Sequence, residues 1–219
     1  MLTTATQSIR ADFARNRLLQ GLLLWYGLFW AVMAIAPYNR HDWLLENVLV
    51  FITVPVLLLT HRRFPFSELS YLLIVLFLTL HAIGAHYTYE KVPLGYWIQD
   101  AFQLNRNHFD RSVHFSFGLL IAYPIREGLI RIVGVRGAWA FYLPVSAILS
   151  WSGLFEIFEM AAAVAVSPEL GNAYLGTQGD VWDAQKDMLA AMIGATICMT
   201  LTAGLRKIGQ IYFSWPARA

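Results

Sequence analysis

The feature that most constrains this chain is a series of apolar runs, each long enough to cross a lipid bilayer and nearly free of charge. The first, Leu18 to Ala36, has 19 residues and no charged side chain, close to the roughly 20 that a membrane helix needs. Others follow at about 43–60, 69–87, 111–133, 138–165 and 187–205. Inside hydrocarbon a backbone has to satisfy its own hydrogen bonds within the segment, so each run is expected to be α-helical. The expected fold is therefore all-α: a polytopic membrane protein with a bundle of six transmembrane helices. Composition supports this. The chain is 58% hydrophobic and 14% charged, where soluble domains carry about 25% charged residues. Six closely spaced spans, with no internal repeat, low-complexity stretch or linker, argue for a single integral domain over 1–219.

Arg10, Arg15 and Arg17 ahead of an apolar run, with Ala34-Ile35-Ala36 behind it, have the outline of a secretory signal. The apolar core of such a signal is only ~7–15 residues, however, so the run is read as a retained first helix. Pro55, Pro124 and Pro144 fall within spans and are expected to kink them. The fourth span is the least regular, since its uncharged part, Ser112 to Ile125, is 14 residues long. The lone cysteine, Cys198, sits in an apolar run and reads as a structural thiol. A net charge of +2 gives no sign of a nucleic-acid partner; the expected partner is the lipid bilayer.

Orientation follows from the basic residues. With a cytoplasmic N-terminus, 11 of the 16 lie inside: Arg10, Arg15, Arg17, Arg62, Arg63, Arg126, Arg131, Arg136, Arg206, Lys207 and Arg218. The positive-inside rule then places both termini in the cytoplasm. Of the 14 acidic residues only Asp12, Glu68 and Glu127 fall on that side. Acidic residues hardly influence topology, so their concentration at the outer face calls for a functional explanation.

Several chemically active groups converge at that outer end. The third span brings His81 and His86, five residues apart and so on different helical faces. Thr88 to Asn107 reads as a long loop rich in aromatics, either an interfacial belt or a lid. Asp110 and His114, at i and i+4, stack on one face of the fourth helix and can address one ion. Glu156 lies 17 residues beyond Trp139, roughly 26 Å along a helix, so Glu156 and Glu159 sit in the outer part of the membrane on one face. The sixth span opens with Gly176-Thr177-Gln178-Gly179-Asp180-Val181-Trp182-Asp183-Ala184-Gln185-Lys186-Asp187. Asp180 or Asp183 can cap the helix that follows; capping does not explain Asp187, a turn deeper.

Charge sharpens the reading. Asp110, Glu156, Glu159, Asp180, Asp183 and Asp187 face only Arg106, Arg111 and Lys186, an excess of three negative charges beside low dielectric. Either some carboxyls are protonated or a cation lies among them. The economical candidate is a divalent metal held by His86, Asp110, His114, Asp180, Asp183 and Asp187, with Glu156 and Glu159 in catalytic roles. Arg111 and Lys186 are candidates for holding an anionic substrate group. Such a ligand set suits Zn, Mn, Fe or Mg.

The stretches His81-Ala82-Ile83-Gly84-Ala85-His86-Tyr87-Thr88-Tyr89, Asp110-Arg111-Ser112-Val113-His114-Phe115 and Gly176 to Asp187 resemble the YjdF-like bacterial inner-membrane proteins. The resemblance implies an inner-membrane, multi-pass location and six helices; it implies no activity. A more distant one is to the VanZ-like membrane proteins, whose elements Asp110, Arg111, His114 and Phe115, then Glu156 or Glu159, then Asp187 with Gly194, match in order. Their asparagine position is Ala191 here, so only a shared polar constellation is carried over.

Three functions fit these residues. One is a metal-dependent hydrolase or transferase working on a small-molecule, lipid-linked or envelope substrate at the periplasmic face. Another is an ion- or proton-coupled transporter, which the lack of polar groups in the inner halves of the spans and of a repeat disfavours. The third is a structural or partner-binding membrane protein, which the unbalanced charge disfavours.

Overall fold

The computed structural model describes residues 13, 16–165, 171 and 175–207. Arg10, Arg15 and Arg218, on which part of the orientation argument rests, lie outside them. Every regular element among the described residues is helical.

Local chemistry sets the helix ends. Helix α1 (Arg17–Met33) starts where the Asn16 side chain accepts from the Leu19 amide at 2.9 Å. Asn39 likewise caps α2 (Arg40–Glu46) by accepting from the amides of His41 and Asp42. The second span thus begins earlier than expected and is interrupted once, at Asn47, before α3 (Val48–Thr60). Ser67 caps α4 (Glu68–Tyr87), and left-handed Thr88, with φ of 57°, ends it. Pro55, Pro124 and Pro144 all lie inside helices, as their positions in the sequence suggest.

The expected loop from Thr88 to Asn107 is largely helical. A single 3₁₀ turn (Tyr89–Lys91) leads into α5 (Pro93–Phe102). Proline at the first helical position is the signal that composition obscured, because its missing N–H costs nothing there. Helix α6 (Phe109–Gly128) runs on past Arg126 and Glu127 as a π-helical turn, Leu129–Val133. Helices α7 (Trp139–Ala165) and α8 (Asp183–Lys207) complete the described chain.

Among the described residues, four stretches are long and apolar enough to cross a membrane: Arg40–Thr60, Glu68–Tyr87, Trp139–Ala165 and Asp183–Leu205. Helix α1 is equally apolar but has 17 residues, and α6 carries Asp110, Arg111, Arg126 and Glu127 along its 20.

The closest packing is between α6 and α8, and glycines permit it. A Cβ on Gly118 would meet the Ala191 carbonyl oxygen, and one on Gly194 would meet that of Phe115, both far inside contact distance. Without a hydrophobic drive in lipid, such close backbone approach is how membrane helices gain contact. Ala122, Tyr123, Ile148, Ala191, Ala195, Cys198 and Met199 fill the core around that contact. Ala191 is wholly buried, so the bulk of an asparagine there would have to be taken up within this contact. A second cluster, Tyr26, Val50, Ile74 and Leu78, joins α1, α3 and α4. The apolar side chains left outside, among them Leu24, Leu28, Val32, Leu59 and Val164, are exposed in the isolated protein and suited to hydrocarbon.

At one end of the bundle, buried Glu127 accepts from the Ser67 amide at 2.9 Å, from the hydroxyls of Ser67 and Ser70, and from Arg131. This closed network ties the start of α4 to the end of α6. The opposite end, where α4 and α7 finish and α2, α6 and α8 begin, carries the functional candidates.

Candidate functional site

The site is built on the loop that enters α8. Gly176 and Gly179 both have positive φ, 57° and 84°, which only glycine adopts at no steric cost. Between them Gln178 donates to the Asn107 carbonyl at 2.9 Å and accepts from its amide at 3.0 Å. Asn107, fully buried, also donates to the Val92 carbonyl at 3.1 Å and sits where Gly95 has no side chain. The loop before α8, the loop before α6 and the start of α5 are thereby locked together.

Arg106 fixes the first carboxylate. Its guanidinium is 7% exposed and grips Asp183 with both terminal nitrogens, at 2.5 and 3.1 Å, while donating to the Thr177 carbonyl at 2.9 Å. This fork geometry gives a buried ion pair its best compensation. Arg111 reaches the same Asp183 at 2.5 Å, Asp187 through Nε at 3.1 Å and Asp180 at 3.4 Å. Asp180 in turn accepts from Lys186 at 2.7 and 2.9 Å. That hydrogen bond, above all, holds the Asp180 carboxyl down at about 2. Asp180, Asp183 and Asp187 are thus matched one for one by Arg106, Arg111 and Lys186.

The unbalanced charge is therefore on Asp110 and Glu156, beside His114, and on Glu159, which lines the same cleft. His114 is buried, with Nε2 3.7 Å from Asp110 and 3.5 Å from Glu156, and Nδ1 3.3 Å from the Ser152 hydroxyl. When Ser152 accepts from Nδ1–H, the Nε2 lone pair points at the carboxylates and is free to ligate. Glu156 Oε1 is buried without a hydrogen-bond partner. Oxygens of Asp110, Asp183 and Asp187 come within 4.8 Å of one another, close enough for one ion. Asp183 and Asp187 already serve arginines, which leaves Asp110 and the second oxygen of Asp187 as the better donors of that trio. The carboxylates Asp110, Glu156, Glu159, Asp180, Asp183 and Asp187 border a cleft of about 870 Å³ between α7 and α8, whereas His114 and Ser152 are not among its lining residues. Apolar side chains are interspersed with the carboxylates in the lining: Leu149, Leu154, Ile157, Met160 and Met188.

The structure does not bring every expected residue here. His86 turns toward α1 and hydrogen-bonds the Met33 carbonyl at 2.8 Å, away from the carboxylates. The buried histidine of that pair is His81: its Nε2 donates to the Glu46 carbonyl at 3.1 Å and its Nδ1 accepts from Tyr89 at 2.5 Å. Arg111 and Lys186, expected to take a substrate anion, are engaged by aspartates. Ser152 and Glu46 escape sequence reasoning as site residues, and Arg106 enters it only as a counter-charge, without its partner. Their partners lie far off in sequence, 77 residues for Arg106 and Asp183, beyond the reach of any spacing argument.

A bundle of helices long and apolar enough to cross a membrane, closed at one end by a buried arginine, carboxylate and histidine cluster, defines an integral membrane protein with a polar cluster at one end of its bundle. The chain belongs to the family described as "Predicted membrane protein (DUF2238)", which matches residues 18–208. It is 38% identical over 183 residues to the inner membrane protein YjdF of Escherichia coli (strain K12), covering 81% of this chain and 87% of that protein. The YjdF-like resemblance thus holds over most of the chain, whereas the VanZ-like one rests on its short motifs. No solved structure matches.

Proposed function

We propose that this protein is a six-span inner-membrane enzyme with both termini cytoplasmic, its polar end facing the periplasm and holding one divalent metal ion. The ion is coordinated by Asp110, Asp187 and His114 Nε2. Glu156 serves as general base, with Glu159 beside it. An ion held there would supply Lewis-acid chemistry toward a substrate oxygen or water, and Glu156 would take the proton that the attacking group gives up. Arg106 and Arg111 set the positions of Asp183 and Asp187 and so preorganise the ligands. The observation that carries this reading is the excess of three carboxylates left once every arginine and lysine of the cluster has been paired: Asp110 and Glu156 beside His114, and Glu159 in the same cleft. Zn, Mn, Fe and Mg all accept such a set.

The cleft suggests the substrate class. Its lining combines apolar and acidic side chains, which fits an amphiphile with its chain along Leu149, Leu154 and Ile157 and its head at the carboxylates. A lipid-linked envelope molecule has that chemistry, and the cleft borders α7 residues such as Leu154 and Ile157 that are exposed where lipid would lie.

Elemental analysis of detergent-purified protein tests the reading. The wild type is expected to hold metal in stoichiometric amount, with that equivalent lost in both His114→Ala and Asp187→Asn. Metal-free wild type, whose thermal stability does not respond to any of the four ions, would overturn it.

A further inference from the structure

A second, smaller chamber lies on the far side of Asp110 and Glu159, which line both cavities. Its remaining walls include Asp42, Glu46, Glu90 and Tyr89. It leaves about 10 Å³ for the centre of a water-sized sphere, room for one water or one ion. Five acidic residues therefore line a space for a single body, although they do not draw three ligand oxygens within 4.8 Å of one another as Asp110, Asp183 and Asp187 do. They come from four separate stretches: α2 gives Asp42 and Glu46, the 3₁₀ turn Glu90, α6 Asp110 and α7 Glu159. Among the described residues no lysine or arginine lines it; Lys91 pairs with Glu90 at 3.5 Å and lies over the Tyr38 ring.

Glu46 indicates what the chamber holds. It is 4% exposed, and its Oε2 is buried with no hydrogen-bond partner. Its neighbour His81 already donates its one ring N–H to the Glu46 carbonyl, and Tyr89 gives its hydroxyl proton to His81 Nδ1. The Glu46 carboxyl thus looks into an acidic space with neither of these donors available to it. Burying an unpaired carboxylate is costly, and gathering four more around it compounds the cost unless a cation or protons compensate.

We propose that this chamber is a cation site, separate from the cleft, that takes one hard divalent ion of the Mg, Mn or Ca class. Its described lining offers carboxylate oxygens and no imidazole or thiolate, the donor set that hard cations prefer. Bound there, the ion would tie α2, the 3₁₀ turn, α6 and α7 to one point. The inference does not rest on the metal proposed for the cleft, although Asp110 and Glu159 face both cavities.

Mn²⁺ titration of the detergent-purified full chain, followed by electron paramagnetic resonance and thermal unfolding, separates the two. Glu46→Gln and Asp42→Asn are each expected to lose one equivalent of Mn²⁺ and most of the Mn²⁺-induced rise in Tm. His114→Ala is expected to keep that equivalent. If the cleft reading fails and this one holds, the wild type binds a single equivalent that depends on Glu46 and not on His114. Binding and Tm shifts in Glu46→Gln and Asp42→Asn equal to wild type would overturn the proposal. Should these variants not fold, infrared difference spectra of the wild type decide. Mn²⁺ is expected to remove a protonated-carboxyl band, and no such change would refute a chamber ion.

Discussion

Asp183 receives two arginines at 2.5 Å each while almost wholly removed from solvent, so the outcome of removing one of them is calculable in direction. Arg106→Leu leaves Asp183 short of its bidentate partner and is expected to cost about 3–5 kcal/mol, the usual penalty for breaking a buried pair from one side. The double variant Arg106→Leu/Asp183→Leu is expected to recover most of this, because an apolar pair leaves no stranded charge. Thermal unfolding in one detergent checks both. His108, just before α6, is held below the ordinary histidine range by burial first and then by Arg111 and Arg106. A lowered histidine binds its proton less readily folded than unfolded, so its contribution to stability is full above about pH 6.5 and declines as pH falls. Between pH 7.5 and 5.5 the wild type is expected to lose stability, and His108→Gln to lose less; equal losses would remove His108 from the account. At this scale the sequence is informative where spacing is local. The pairs Asp110 with His114 and Asp183 with Asp187 can be read from helical periodicity, and both face the site. His86 and His81 cannot be ordered that way, since five residues place them on different faces and nothing local says which face points inward. Glu46 escapes notice because it precedes a helix break at Asn47 that no motif announces.

Helices α6 and α8 bring the two halves of the site into register, and their contact is set by backbone rather than by side-chain size. Gly118→Val and Gly194→Val would each press a branched side chain against a carbonyl of the partner helix. Overpacking of this kind usually costs about 1–3 kcal/mol, and both changes are expected to lower Tm and to displace Asp187 relative to Asp110. A Gly128→Ala control, where a Cβ meets nothing within 4 Å, is expected to leave Tm unchanged or raised; loss of stability there equal to that at Gly118 would contradict the contact argument. All six apolar runs are helical, but among the described residues length and hydropathy alone identify only four of them as long and apolar enough to cross a membrane. Helix α5 is not legible at all, since its 10 residues mix Gly, Tyr, Trp and Asp in a pattern that also suits a loop. The glycine contact is equally hidden: Gly194 stands out only as a motif position, and its role depends on Phe115 and Leu119 of another helix.

For the whole molecule, the orientation and the site are one claim, because a periplasmic site needs the α8 entry loop outside. Val181 is 86% exposed on that loop, and the only native cysteine, Cys198, is buried. In intact cells Val181→Cys is expected to react with a membrane-impermeant maleimide, and the wild type is not; labelling only after lysis would invert the topology. Counting charges along the chain is enough to reveal the acidic excess. It is not enough to place that excess, since pairing depends on which carboxylates the arginines reach. With those pairs known, the excess settles on Asp110 and Glu156 beside His114 and on Glu159 in the same cleft. X-ray absorption at the edge of the metal that copurifies with the protein tests this most directly. The account expects a shell of nitrogen and oxygen neighbours with the multiple-scattering signature of one imidazole, and loss of that signature in His114→Gln. A bound metal with no imidazole, or an imidazole that persists in His114→Gln, would contradict it.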